Sequence, residues 1–264
     1  VAVPLCTTHP LPSLQYVVED TGAEIIIVSP QFEAILQSLA QEKGIRFIVL
    51  GQQTKSQPVD LPEIGIDRRA MILYTSGTTN LPKGVVTTHA NLEAQISTLV
   101  NAWEYSAIDA ILCILPLHHV HGIINVISCT LWAGGCVEFL PEFAPQKVFN
   151  WFQKTAQSSV SGVFMAVPTI YFKLIAHFES LPVEEQQILS NAMTTFRLMV
   201  SGSAALPVSV MEKWQKVSGH TLLERYGMTE IGMALSNPYH GQRKAGFVGV
   251  PLPNVQVRLV DEQN

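Results

Sequence analysis

Short apolar runs alternate with longer stretches of helical periodicity along almost the whole chain, and this alternation restricts the fold more than any other feature. Residues 24–29, 46–50, 70–74, 110–115, 136–140, 161–167, 196–201 and 221–226 read as strands. Residues 31–43, 91–105 and 122–132 read as helices, as do segments beginning at Pro145, Pro168 and Pro207. In the second of these, Leu92, Ile96, Leu99 and Trp103 recur every three or four residues, the spacing of one helix face. Four helices start near a proline, which suits a first turn whose N–H has no partner. Repeated strand–helix units predict an α/β fold with largely parallel sheets flanked by helices. Residues 51–60 are polar and turn-rich and read as a linker. Ligands of such folds lie beyond the carboxyl ends of the strands. Five such ends are predicted to face one crevice: residues 75–83, 115–122, 167–173, 201–205 and 226–230.

The segment after the 70–74 strand carries the clearest chemistry. Thr75, Ser76, Gly77, Thr78 and Thr79 precede Asn80, Leu81, Pro82, Lys83 and Gly84. Hydroxyls, glycines that let backbone N–H groups approach an anion, and one lysine charge are the parts of a phosphate grip. The common nucleotide P-loop needs glycine immediately before its lysine, and here Pro82 holds that place, which disfavours a P-loop ATPase.

Composition narrows the rest. The 264 residues are 47% hydrophobic and 14% charged, with a formal net charge of −5. No Lys/Arg cluster marks a nucleic-acid footprint, and no apolar run reaches the roughly 18 residues of a membrane span. Cys6, Cys113, Cys129 and Cys136 sit in mostly apolar contexts without Cys-x-x-Cys spacing and read as buried free thiols of a reducing, cytoplasmic setting. The first methionine is Met71, and both ends read as strand, as expected of a piece cut from a longer protein whose targeting signals would lie outside it.

Two tempting motifs fail on spacing. His118, His119 and His121 form a dense group, but no carboxylate or thiolate stands nearby at ligand spacing, so hydrogen-bonding loop histidines are the better reading than a metal site. Gly202-Ser203-Ala204-Ala205 lacks the second glycine of a Gly-x-Ser-x-Gly nucleophile elbow, because Ala205 takes its place.

Residues 74–84 resemble the signature of the acyl-adenylate-forming superfamily, which includes acyl-CoA synthetases, peptide-synthetase adenylation domains and luciferases. The family pattern usually has glycine where this chain has Asn80, the next most tolerant residue of left-handed backbone. Residues 116–122, 200–207, 223–230 and 246–254 resemble further family segments in the same order. The resemblance implies the central part of the N-terminal adenylation domain over residues 1–264, truncated at both ends, with a mobile C-terminal domain and its catalytic lysine outside the chain. It also implies roles. The hydroxyl loop and Lys83 would hold the phosphates of ATP, and Gly202, Ser203 and Ala204 would pack on adenine and the acyl group. Tyr226 and Gly227 would stand beside adenine, Thr229 would reach the α-phosphate, and Glu230 would hold Mg²⁺. His119 would act at the reacting carboxylate and His121 would border the acyl or pantetheine channel, with Ser203 donating to substrate. Arg243 is either a solvated charge or a phosphate contact.

The combination of residues 118–122, 167–171 and 226–234 is particularly similar to malonyl-CoA synthetases, whose members place a cation at the position of Lys173. Malonate or methylmalonate is therefore the expected acid, with ATP and CoA as co-substrates. The alternatives are another short- or medium-chain acyl-CoA synthetase and a non-catalytic nucleotide-binding module.

Overall fold

The computed structural model describes residues 1–51, 59–75 and 81–261. Residues 76–80, the centre of the hydroxyl loop with Ser76, Gly77, Thr78, Thr79 and Asn80, lie outside them, as does most of the expected linker. The chain divides into two compact units, residues 4–65 and residues 1–3 with 66–264.

In the smaller unit, α1 (Leu11–Thr21), β1 (Ile25–Val28), α2 (Glu33–Lys43) and β2 (Arg46–Val49) follow one another. The two strands pair in parallel, Ile25 opposite Arg46. Leu14, Val18, Leu36, Leu39 and Ala40 of the helices pack on Ile26, Val28 and Val49. Both helices end at a left-handed glycine, Gly22 with φ 57° and Gly44 with φ 65°, as helix C-termini commonly do.

The larger unit begins with β3 (Arg69–Thr75) and β4 (Lys83–Thr88), an antiparallel ribbon with Thr75 opposite Lys83. This departs from the expected strand, loop and helix: Lys83 opens a return strand instead of standing in the loop or on a helix. Thr88 then caps α3 (His89–Ala102), accepting from the Asn91 N–H at 3.2 Å while Asn91 Oδ1 accepts from the Thr88 N–H at 2.9 Å.

A mixed, mostly parallel sheet follows: β5 (Asp109–Cys113), β6 (Cys136–Phe139), β7 (Ser161–Ala166), β8 (Leu198–Ser201), β9 (Leu223–Met228), β10 (Gly232–Ser236) and β11 (Val250–Pro251). Its order is β11-β10-β9-β8-β7-β5-β6, parallel from β6 to β9 and antiparallel beyond. The period of two along each strand sorts side chains to two faces. Ala110, Leu112, Phe164, Ala166 and Met199 face α5 (Pro145–Ala156), α6 (Pro168–Glu179), α7 (Val183–Thr194) and α8 (Val208–Ser218). Ile111, Cys113, Val163, Met165, Leu198, Val200 and Leu223 face α3, a π-helix (His121–Ser128) and α4 (Cys129–Trp132). Helices on both faces are what the strand–helix alternation predicted. α7, a polar helix burying Leu189, Ala192 and Met193, was absent from that reading. Cys113 and Cys129 are buried free thiols, whereas Cys136 is exposed, because β6 ends the sheet.

Candidate active site

Four of the five predicted strand ends do converge: β5, β7, β8 and β9 are neighbouring parallel strands whose carboxyl ends share one rim. The fifth, after β3, leaves the β3–β4 ribbon at Thr75 and returns at Lys83, and its centre lies outside the described residues.

After β5 the chain passes through Pro116 to His119 and turns into the π-helix. His118 and His119 pack ring to ring, 4.2 Å between centroids, and His119 is exposed. His121 parts company with them and turns inward, 2% exposed. Burial, with the Arg225 charge second, drives its imidazole well below the usual histidine value, so it is neutral at pH 7.

β8 ends at Ser201, and Ser203 adopts a left-handed φ of 68°. That conformation carries the Ser203 hydroxyl to 3.1 Å from His121 Nδ1. Gly202 matters for a different reason: a Cβ there would overlap the Arg225 guanidinium, which lies against the Gly202 backbone. Arg225 shares the inward face of β9 with Leu223, while Glu224 faces the other way and accepts the Leu206 N–H at 3.0 Å, tying down the end of the 203–206 loop. Burial holds that carboxyl above its usual pKa.

Arg225 is the residue that sequence reasoning missed. It is 3% exposed, and burial brings its pKa down to about 10, so it stays charged at pH 7. Among the described residues it has no carboxylate partner; its described hydrogen bond is a long one, Nη2 to Ser203 Oγ at 3.5 Å, and Nε has none. A buried cation without an anion is costly. Proton counting then orients the group. Guanidinium only donates, so Ser203 Oγ accepts from Arg225; when its own proton goes to His121 Nδ1, the ring N–H stands on Nε2. His121 Nε2, the donor in that tautomer, is likewise buried without a partner. A charged donor and a neutral donor are thus presented together, which is the equipment for an anion.

Several of the remaining predicted residues lie on the same rim or its turns. Tyr226 is exposed at the end of β9, Gly227 follows it, and Thr229 and Glu230 form the turn into β10, with Glu230 exposed. Gln95 of α3 anchors this hairpin by accepting the Met233 N–H. Ala204 is exposed in the 203–206 loop. Thr75 and Lys83 face each other across the base of the ribbon. Lys173 is exposed on α6, its ammonium 5.8 Å from the centroid of the Phe143 ring, outside the group formed by His121, Ser203 and Arg225. Arg243 is half-buried and donates to the carbonyls of Thr221, Tyr239 and Pro238 at 2.7, 2.9 and 3.2 Å. It ties the 238–243 loop to the start of β9.

A strand rim carrying this order of segments defines a nucleotide-dependent adenylating fold, and the chain belongs to the AMP-binding enzyme family, whose pattern matches residues 1–264. Among individual proteins, it is 47% identical over 274 residues to the mitochondrial malonate–CoA ligase ACSF3 of Xenopus laevis, covering 99% of this chain and 47% of the relative. It is 38% identical to the malonate–CoA ligase of Arabidopsis thaliana over 283 residues, covering 100% of this chain and 46% of the relative. The ATP-bound crystal structure of MatB from Rhodopseudomonas palustris superposes with a TM-score of 0.82 at 34% identity, covering 96% of this chain and 50% of MatB. The chain thus spans about half the length of the relatives it matches.

Proposed function

We propose that the full-length protein is an ATP-dependent malonate–CoA ligase, with methylmalonate as a second acid. The observation that carries the choice of acid is the buried Arg225, which has no carboxylate partner among the described residues and whose Nε has no hydrogen-bond partner. A monocarboxylate spends its only charge at the reacting end and leaves this guanidinium uncompensated. A dicarboxylate supplies a second anion, and the names of the two ligase relatives state malonate. Lys173, the cation expected from the sequence, is a second candidate partner from its exposed place on α6. An apolar acyl chain is disfavoured because it would bury Arg225 without relief.

One carboxylate oxygen of the acid attacks the α-phosphorus of ATP. The bond to the bridging oxygen breaks, pyrophosphate leaves, and an acyl-adenylate remains. The thiol sulfur of CoA then attacks the acyl carbon, AMP departs, and the thiol proton passes to solvent. Lys83 and the hydroxyl loop neutralise phosphate charge in this reading, Thr229 donates to the α-phosphate, and His119 donates to the reacting carboxylate. Glu230 is a hard oxygen donor at an exposed turn, which fits Mg²⁺ held by one protein carboxylate with water and phosphate oxygens completing the shell. The ion would supply charge neutralisation of the polyphosphate. We further infer that a mobile C-terminal domain carries a lysine that completes the adenylation site.

No helix among the described residues is long and apolar enough to cross a membrane. The cytoplasm was the expected setting; the Xenopus relative makes the mitochondrion the compartment to test with tagged full-length protein. The activity is tested by incubating full-length protein with ATP, malonate and CoA. Malonyl-CoA, AMP and pyrophosphate in equal amounts are expected; orthophosphate with no thioester would contradict the ligase reading.

A further inference from the structure

We propose that Asn125 is a specificity-determining residue that hydrogen-bonds the distal carboxylate of the acid, a role that rests on the dicarboxylate reading above. Asn125 lies within the π-helix and is 0% exposed. Neither its amide nitrogen nor its amide oxygen has a partner. Buried side-chain amides are nearly always hydrogen-bonded within the protein or to ordered water. Leucine or isoleucine would fill a buried position without leaving polar atoms unpaired.

The helix type decides where this amide sits. In a π-helix the bonding runs i to i+5, so four residues make slightly less than one turn, and Asn125 follows His121 on the same side of the helix. The Tyr105 hydroxyl locks the position by donating to the Asn125 carbonyl at 2.8 Å, with Met165 Sδ 3.8 Å from its other side. His121 in turn meets Ser203 Oγ at 3.1 Å, and Ser203 meets Arg225 at 3.5 Å. Asn125 Nδ2 and Oδ1, His121 Nε2 and Arg225 Nε are all buried without a partner, and the helix places Asn125 one turn after His121.

An amide suits this place because it adds donors without adding charge. Aspartate would bring its own negative charge and repel a carboxylate, whereas an aliphatic side chain would offer nothing to an anion. The backbone contact from Tyr105 does not depend on the side chain, so the fold tolerates its replacement.

The test uses full-length protein and two variants, Asn125→Leu and Asn125→Asp, with kcat/KM measured for malonate and for propionate and the melting temperature recorded. For Asn125→Leu the malonate-to-propionate ratio should fall roughly 10- to 100-fold, the loss of one or two charge-assisted bonds, while the melting temperature stays level or rises. Asn125→Asp should lower the same ratio at least as far. Equal losses for both acids with a lower melting temperature would show a structural amide and overturn the proposal. An unchanged ratio in both variants would overturn it too, leaving Asn125 as a water ligand. A wild-type protein that prefers propionate would instead remove the dicarboxylate reading, and the role of Asn125 with it.

Discussion

Arg225 and His121 show how much one buried charge asks of its neighbours. The guanidinium is accommodated only because Gly202 has no side chain and Ser203 accepts the left-handed turn that brings its hydroxyl between the two. Replacing an uncompensated buried charge with an apolar residue of similar length removes a desolvation cost. Arg225→Met should therefore melt at or above the wild-type temperature, a gain of up to about 2 kcal/mol, which differential scanning calorimetry checks. Protonation sets the other residue-scale expectation. Burial above all, with Arg225 adding to it at His121, lowers both imidazoles below their ordinary value of 6.5; at His220 the bond to the Met193 carbonyl opposes burial and the Arg243 charge adds to it. The unfolded chain then binds protons that the folded one refuses. Stability should be full above about pH 6.5 and fall as pH drops below it toward the lowered folded values. Urea unfolding at pH 7.5 and pH 5.5 checks this, with His220→Gln expected to show the smaller loss of the two proteins.

At the scale of elements, the start of the sheet hangs on one ion pair. Arg197, one residue before β8, donates to both oxygens of Asp109 at 2.7 and 2.6 Å and to the Trp103 carbonyl at 2.7 Å. The pair joins β5, β8 and the end of α3. Asp109→Asn leaves that guanidinium underpaired in a buried setting and should cost about 3–5 kcal/mol, read from urea unfolding. The β9–β10 hairpin depends on Gly232, whose φ of 66° and close approach to Gln95 exclude a side chain. Gly232→Ala should cost about 2–4 kcal/mol and weaken Mg·ATP binding by displacing Thr229 and Glu230; calorimetric titration checks the second effect. The strand and helix order of the main sheet was legible because β-branched runs, prolines and glycines punctuate it strongly. β4 was not, since Lys83, Gly84 and Val86 are exposed and leave no clean alternation. α7 was missed because its apolar residues are few, and the π-helix because over two turns its spacing cannot be told from that of an α-helix. At the site, Ser203, His121 and the 226–230 turn were readable from their motifs. Arg225 was not, because a lone arginine in a strand shows neither its burial nor its missing partner until tertiary neighbours are known.

At the scale of the molecule, the chain matches about half the length of its relatives, and the proposed chemistry divides between what lies on this rim and what a further domain would bring. If a C-terminal lysine completes phosphate neutralisation, residues 1–264 expressed alone should bind nucleotide weakly. They should form malonyl-CoA at less than roughly 1% of the full-length rate, since losing one such group costs about 10²–10³-fold. Thioester formation at the full-length rate would contradict that division. The central claim, that a buried cation on the strand rim selects a dicarboxylic acid, is tested most directly by kcat/KM for malonate and propionate in full-length wild type, Arg225→Met and Lys173→Met. The malonate-to-propionate ratio should fall roughly 10²-fold in Arg225→Met, the loss of a charge-assisted bond of about 1.5–3 kcal/mol, and less in Lys173→Met. A ratio that survives in Arg225→Met but collapses in Lys173→Met would move the selecting charge to α6, and a ratio unchanged in both would contradict charge selection altogether.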